Sequence, residues 1–261
     1  MIKVEDLSFR YDGDWILQDL GFVVEKDDFL GIVGPNGIGK TTLLKLLYRL
    51  MSPQTGRVLV GGTDLALMAR HEISKKIAVV SQETQINFPF VALEVVLMGR
   101  SPHLKHLQFE RKRDFDVAEM AMELTDTLQV AHRPFSELSG GEKQRVFIAR
   151  ALAQDTEIIL FDEPTANLDI RHQVQFYDLM TALNAEKHIT LVTVSHEINL
   201  AGEFCKNILL LHERRIFAQG KPSKVITKAN IEAVYDTPVL VDQNPETGAP
   251  RVTLLRRKNL P

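Results

Sequence analysis

One cysteine and one tryptophan are all that this 261-residue chain holds of those two types. A single thiol, Cys205, excludes an internal disulfide framework and fits a reducing compartment. Long apolar runs are missing too. No stretch approaches the about 18 consecutive apolar residues that read as a membrane-spanning helix, so any membrane part is expected from a separate partner. Glu5, Asp6 and Asp12 come early and no apolar core follows them, so a secretory leader is not expected. Basic excess is absent: 31 Lys and Arg stand against 34 Asp and Glu, a formal net charge of -3. That balance lacks the electrostatic footprint of nucleic-acid binding. No internal repeat or low-complexity tract is visible. What is present is an ordinary 44% hydrophobic and 25% charged composition, enough for one large domain with a smaller lobe.

Short apolar runs broken by turn residues over 1–30 predict antiparallel strands. Phe29-Leu-Gly-Ile-Val33 reads as a buried strand. Leu43, Leu44, Leu47, Leu50 and Met51 recur at helical spacing, and Pro53 should stop that helix near Ser52. Thr55-Gly56 reads as a turn before a strand over 57–60. A short helix and a strand share 72–82, helices are expected over 91–99 and 110–130, and continuous apolar strands over 158–161 and 190–194. A hairpin around Glu213 and a helix over 224–235 close the pattern. These elements suggest a nucleotide-binding core (1–86 and 150–220), an inserted helical lobe (87–149) and a C-terminal extension (221–261).

Gly34-Pro-Asn36-Gly37-Ile-Gly39-Lys40-Thr41 matches GxxxxGK[ST] between a strand and a helix. Glycines let backbone N–H groups turn inward as an anion nest, and the helix offers its positive end to phosphates. Lys40 is suited to the β- and γ-phosphates and the Thr41 hydroxyl, backed by Thr42, to Mg²⁺. A second apolar strand ends in Asp162 and Glu163. Read alone, it could be a strand running into a solvated acidic turn. Beside a phosphate loop, Asp162 suits the metal and Glu163 the polarisation of an attacking water.

Leu138-Ser139-Gly140-Gly141-Glu142 precedes an amphipathic helix. Ser139 and Glu142 have capping-box spacing. A capping box leaves the glycine pair unexplained, and a close approach by phosphate is the reading adopted here.

With these motifs in order, the chain resembles an ATP-binding cassette (ABC) ATPase over nearly its whole length. The resemblance implies an α/β P-loop NTPase core of RecA-like type, with an N-terminal antiparallel β subdomain and an inserted α-helical subdomain. It implies that Ser139, Gly140, Gly141 and Glu142 meet the γ-phosphate end of an ATP held by a second copy of the chain. It further implies that Tyr11 stacks on adenine, Gln82 senses Mg²⁺ and the attacking water, Asp169 lies in a loop crossing the dimer interface, and His196 orients Glu163. As a lone residue, Tyr11 could instead be a strand aromatic in a small core, the less favoured reading. Ile38, Ala166-Asn167 and Lys143 depart from frequent family choices without removing a needed group.

Phe88-Pro-Phe-Val-Ala-Leu-Glu-Val-Val-Leu-Met-Gly99-Arg-Ser-Pro-His103 resembles the importer branch for iron–siderophore, haem and cobalamin. That resemblance implies permease partners, a substrate-binding protein and a place on the cytoplasmic face of the inner membrane. Phe88, Phe90, Val91 and Val95 are candidate contacts for a permease helix, or else pack inside the lobe. The alternative is a soluble, non-transport ABC ATPase such as a cluster-assembly protein.

Overall fold

The computed structural model describes residues 1–81, 88–105, 108–166 and 168–256. Two compact units emerge: Met1–Leu67 with Thr190–Pro261, and Met68–Ile189.

The first unit begins with β1 (Ile2–Arg10), β2 (Trp15–Val24), β3 (Phe29–Val33), α1 (Lys40–Leu47), β4 (Thr55–Val60) and β5 (Thr63–Asp64). β1 pairs antiparallel with β2 and β4, and β4 with β5. Ile2, Val4, Leu7 and Phe9 are each at most 4% exposed, so β1 contributes the inner face of this sheet. The run between Val4 and Leu7 includes a register shift, and Asp6 there has φ 47°. β4 starts at Thr55, opposite Ser8, so the expected turn at Thr55-Gly56 is part of the strand. α1 ends earlier than Pro53 would require. Arg49 turns left-handed (φ 57°), its N–H reaches the Leu46 carbonyl at 3.2 Å, and the Leu50 N–H reaches that of Lys45 at 2.9 Å. This is a Schellman stop.

The second unit holds α2 (Arg70–Ser74), β6 (Ile77–Val80), α3 (Ala92–Leu97), a 3₁₀ segment (Met98–His103), α4 (Lys112–Leu124), α5 (Gly140–Ala153), β7 (Ile158–Asp162) and α6 (Ile170–Lys187). β6 and β7 run parallel, from Ile77 opposite Ile158 to Val80 opposite Phe161. Val95, Val96, Ala118, Met122, Val146 and Ala149 are fully buried where α3, α4 and α5 pack together. The expected subdomain boundary at 149/150 falls inside α5, a continuous hydrogen-bonded helix.

The chain then returns to the first unit with β8 (Thr190–Val194), α7 (Ile198–Phe204), β9 (Asn207–His212), β10 (Arg215–Gly220), α8 (Pro222–Val225), α9 (Lys228–Tyr235), β11 (Val239–Gln243) and β12 (Pro250–Leu254). β3 lies between β8 and β9, parallel to both. Every residue of β3 and β8 is buried, as a strand covered on both faces requires. The β9–β10 hairpin turns through Glu213 and Arg214, both at positive φ (45° and 69°), the geometry of a type I′ turn without its usual Asn-Gly. The single helix expected over 224–235 is two. Thr227 caps a fresh helix, its hydroxyl accepting from the Asn230 N–H at 3.3 Å. β11 and β12 form an antiparallel hairpin that docks on α7, where the Asn199 amide both donates to the Val252 carbonyl (3.1 Å) and accepts from its N–H (2.8 Å). Cys205, just after α7, is buried, and desolvation pushes its thiol well above the usual range. Thiols buried in this way are poor nucleophiles.

Candidate active site

In the first unit, buried β3 delivers the chain into the glycine-rich loop. Gly39 closes that loop as the N-cap of α1 with φ 102°. An added Cβ would also come within 2.9 Å of Leu17 Cδ2, so backbone and packing both demand glycine. Two consequences follow for charge. Gly39 offers no side chain to cap α1, and no acidic residue lies in the first turn. No carboxylate within the first turn offsets the positive end of the helix, which favours an anion there. Lys40 is only 4% exposed, and its Nζ donates to the carbonyls of Gly34 (2.8 Å) and Pro35 (2.9 Å), spanning the loop from behind. Asn36 and Gly37 are exposed at the loop's tip.

Tyr11 lies beside this loop's helix. Its hydroxyl is 3.3 Å from Thr42 Oγ1, and its ring, 53% exposed, meets Phe9 edge-on at 5.0 Å. Tyr11 is therefore exposed and not buried in a small strand core. His196 follows β8 and is exposed; the Ser195 hydroxyl before it accepts from the Glu197 N–H at 3.0 Å, shaping the turn into α7.

In the second unit, Ile158, Ile159, Leu160 and Phe161 of β7 are all at most 1% exposed. Asp162 and Glu163 emerge half-buried at its end. Glu163 has φ 50°, a conformation rare outside glycine and concentrated at functional positions. Gln82 lies outside the described residues.

The signature turn is built as its spacing predicts. Ser139 caps α5: its Oγ accepts from the Glu142 N–H (3.3 Å), while Glu142 Oε2 accepts from the Ser139 N–H and hydroxyl (2.8 Å each). The Ser139 N–H and hydroxyl, helped by Arg133, hold the Glu142 carboxyl below the usual carboxylate range. The cap's stabilising contribution is therefore present above the unfolded-state value, about pH 4.3, and is lost as pH falls through the lower folded-state value. Glu142→Gln should flatten the acid limb of thermal stability below about pH 4.3. Melting curves from pH 3 to pH 7 would refute this if wild type and variant lost stability in parallel.

Close approach explains only one of the two glycines within the chain. Nothing lies within 4 Å of a Cβ added at Gly140, whereas at Gly141 the His172 ring would be struck at 2.8 Å. Asp169 caps α6, accepting from the His172 N–H at 3.0 Å.

Sequence reasoning did not foresee what Gly99-Arg-Ser-Pro-His103 does in the lobe. Arg100 is 4% exposed; its Nε is 3.0 Å from Asp114 Oδ1, and its Nη1 donates to the Ala153 carbonyl at 2.7 Å. The His103 ring Nε2 lies 2.8 Å from the Gln154 carbonyl. Both groups hold the carbonyl end of α5, where positive charge is favoured. Of the candidate permease contacts, Val95 is fully buried in the lobe and is withdrawn, while Phe88 is 70% exposed.

A family model described as ABC transporter matches residues 17–166. This chain belongs to the ABC transporter family. It is 37% identical to the cobalamin import ATP-binding protein of Halobacterium salinarum over 97% of its own length, and spans 63% of that relative. It is 36% identical to the ferric enterobactin transport ATP-binding protein of Escherichia coli, covering 98% of this chain and 94% of that one. Among solved structures, a metal-chelate type ABC transporter in an inward-facing conformation matches with a TM-score of 0.87 at 30% identity, over 98% of each chain. A bacterial ABC transporter cassette solved as a dimer matches with a TM-score of 0.73 at 29% identity, over 85% of this chain and 98% of that one. The fold is accordingly the α/β P-loop NTPase type, with the antiparallel β1–β2–β4–β5 sheet and the helical lobe as its additions.

Proposed function

We propose that the chain binds and hydrolyses ATP and drives an ABC importer for a metal chelate, haem or cobalamin. The observation that carries this reading is the phosphate loop: an uncapped, acid-free helix end at Gly39 with buried Lys40 behind it. The names of the relatives support the importer branch. Gly34, Asn36, Gly37, Gly39 and Lys40 would wrap the phosphates, with Tyr11 against the adenine. Glu163 would take the proton from the attacking water, oriented by His196. Ser139, Gly140, Gly141, Glu142 and Asp169 would complete the site of a second copy, so that two chains enclose two nucleotides; the dimeric cassette structure supports that arrangement.

Mg²⁺ suits the donors available. Thr41 and Asp162, with Gln82, offer oxygen ligands. Among the described residues no group of three or more His, Cys, Asp or Glu could hold a metal by itself. Mg²⁺ commonly takes one or two protein oxygens and completes its shell from phosphates and water. When bound, it would neutralise charge on the β- and γ-phosphate oxygens.

No helix among the described residues is long and apolar enough to cross a membrane. We place the chain on the cytoplasmic face of the membrane, attached through permease subunits, with exposed Phe88 among its contacts, and with a substrate-binding protein in the full system. Co-purification with a candidate permease, followed by ATPase assays with ferric siderophore, haem and cobalamin, tests the reading. Failure of all three cargoes to stimulate turnover would overturn the importer assignment. Lys40→Ala should weaken ATP binding about ten- to a hundredfold, the equivalent of one charge-assisted contact. Unchanged affinity in equilibrium titration would count against the cradle.

A further inference from the structure

His172 sits in the first turn of α6. Its backbone N–H and its ring Nδ1 both donate to one oxygen, Asp169 Oδ1, at 3.0 and 2.8 Å. The opposite edge of the ring lies over Gly141, in the first turn of α5. A Cβ placed on Gly141 would lie 2.8 Å from His172 Cδ2 and 3.1 Å from Nε2. The imidazole therefore fills the space that a side chain at residue 141 would need. Gly140, one residue earlier, has open space instead. The His172 N–H and ring together hold the Asp169 carboxyl below the usual carboxylate range.

We propose that His172 is a positioning residue that locks the interface loop at Asp169 to the signature turn at Gly141. The two elements are then presented to a second copy at one fixed spacing. This rests on the two-chain reading above. The first turns of α5 and α6 meet at the His172 ring. One edge of that ring is fixed by two bonds to a charged cap, and the other is pressed on backbone with no side chain between. A shift of either helix end must move the other. Nucleotide binding to the phosphate loop of a single chain uses neither element. The expected signature is therefore lost assembly and turnover with intact binding.

The test uses the full chain. His172→Ala should leave ATP affinity of the monomer unchanged while lowering kcat at least about fivefold. In the Glu163→Gln background it should weaken ATP-driven dimerisation by a similar factor, read by gel filtration or light scattering. Gly141→Ala should lower Tm by about 3–8 °C through the clash with the ring. Adding His172→Ala to Gly141→Ala should restore most of that loss, because removing the ring makes room for the methyl group. Additive losses in the double variant would overturn the contact. A trapped dimer indifferent to His172→Ala would overturn the positioning role alone. A Glu163→Gln chain that stays monomeric in saturating ATP would overturn the two-chain reading itself, whatever the Tm series gives.

Discussion

Glu163→Gln is expected to bind ATP with near wild-type affinity and to lose about 10²- to 10⁴-fold in turnover, the usual contribution of a positioned general base. Glutamine has the shape of glutamate and can keep a hydrogen bond to water, but cannot accept the proton. Placement matters as well as chemistry. Four residues at most 1% exposed anchor β7 up to Phe161, so the backbone that carries the two carboxylates at its end is held in place. Glu163 is then held at φ 50°, a conformation costing on the order of 1 kcal/mol or more that the surrounding fold must sustain. Steady-state phosphate release and equilibrium ATP titration, run side by side, decide the matter. Turnover within tenfold of wild type would remove Glu163 from the role of base.

Arg100→Ala should destabilise the helical lobe by about 3–5 kcal/mol, the range for stranding one member of a buried ion pair. Arg100 and Asp114 are 4% and 7% exposed, and solvent cannot screen or replace what is lost. The Asp114 carboxyl sits below its usual range, first through the Arg111 N–H and then through Arg100. Without Arg100, a charged, buried group keeps only the backbone partner, and the Ala153 carbonyl at the end of α5 loses its donor. Lysine is no substitute, since it cannot reach a carboxylate and a carbonyl with a planar fork. Urea denaturation followed in the lobe would test this; a loss below about 1 kcal/mol would mean the pair is dispensable. Arg100→Met with Asp114→Leu should recover much of the loss, because removing both charges leaves no stranded partner. The expected secondary effect is on hydrolysis, since the helix that loses its anchor begins at Ser139.

Several elements were legible before any coordinates. The strand–loop–helix around Lys40, the acidic end of β7 and the capping box of α5 each depend on residues within a few positions of one another. Their local chemistry determines their form: Gly39 must turn left-handed, and Ser139 and Glu142 must satisfy the first N–H groups of a helix. Helix ends are less legible. Leucine spacing continues past Leu47 and predicts a helix to Ser52, whereas the chain stops in a Schellman turn at Arg49, a residue without a turn preference of its own. One helix is expected over 224–235, whereas Thr227 caps a new one.

The amino-acid sequence by itself determined which chemistry the chain can carry, because phosphate cradles and helix caps are short-range and nearly independent of the rest of the fold. It also determined, through continuous apolar runs, which strands are buried on both faces. Only the tertiary structure decided what stands where a side chain at the second glycine of the signature turn would be. His172 meets Gly141 from another helix, 31 positions along the chain. Likewise Arg100 finds its carbonyl 53 positions away, at Ala153. Such pairs are chosen by the packing of helix on helix, and no local pattern records them.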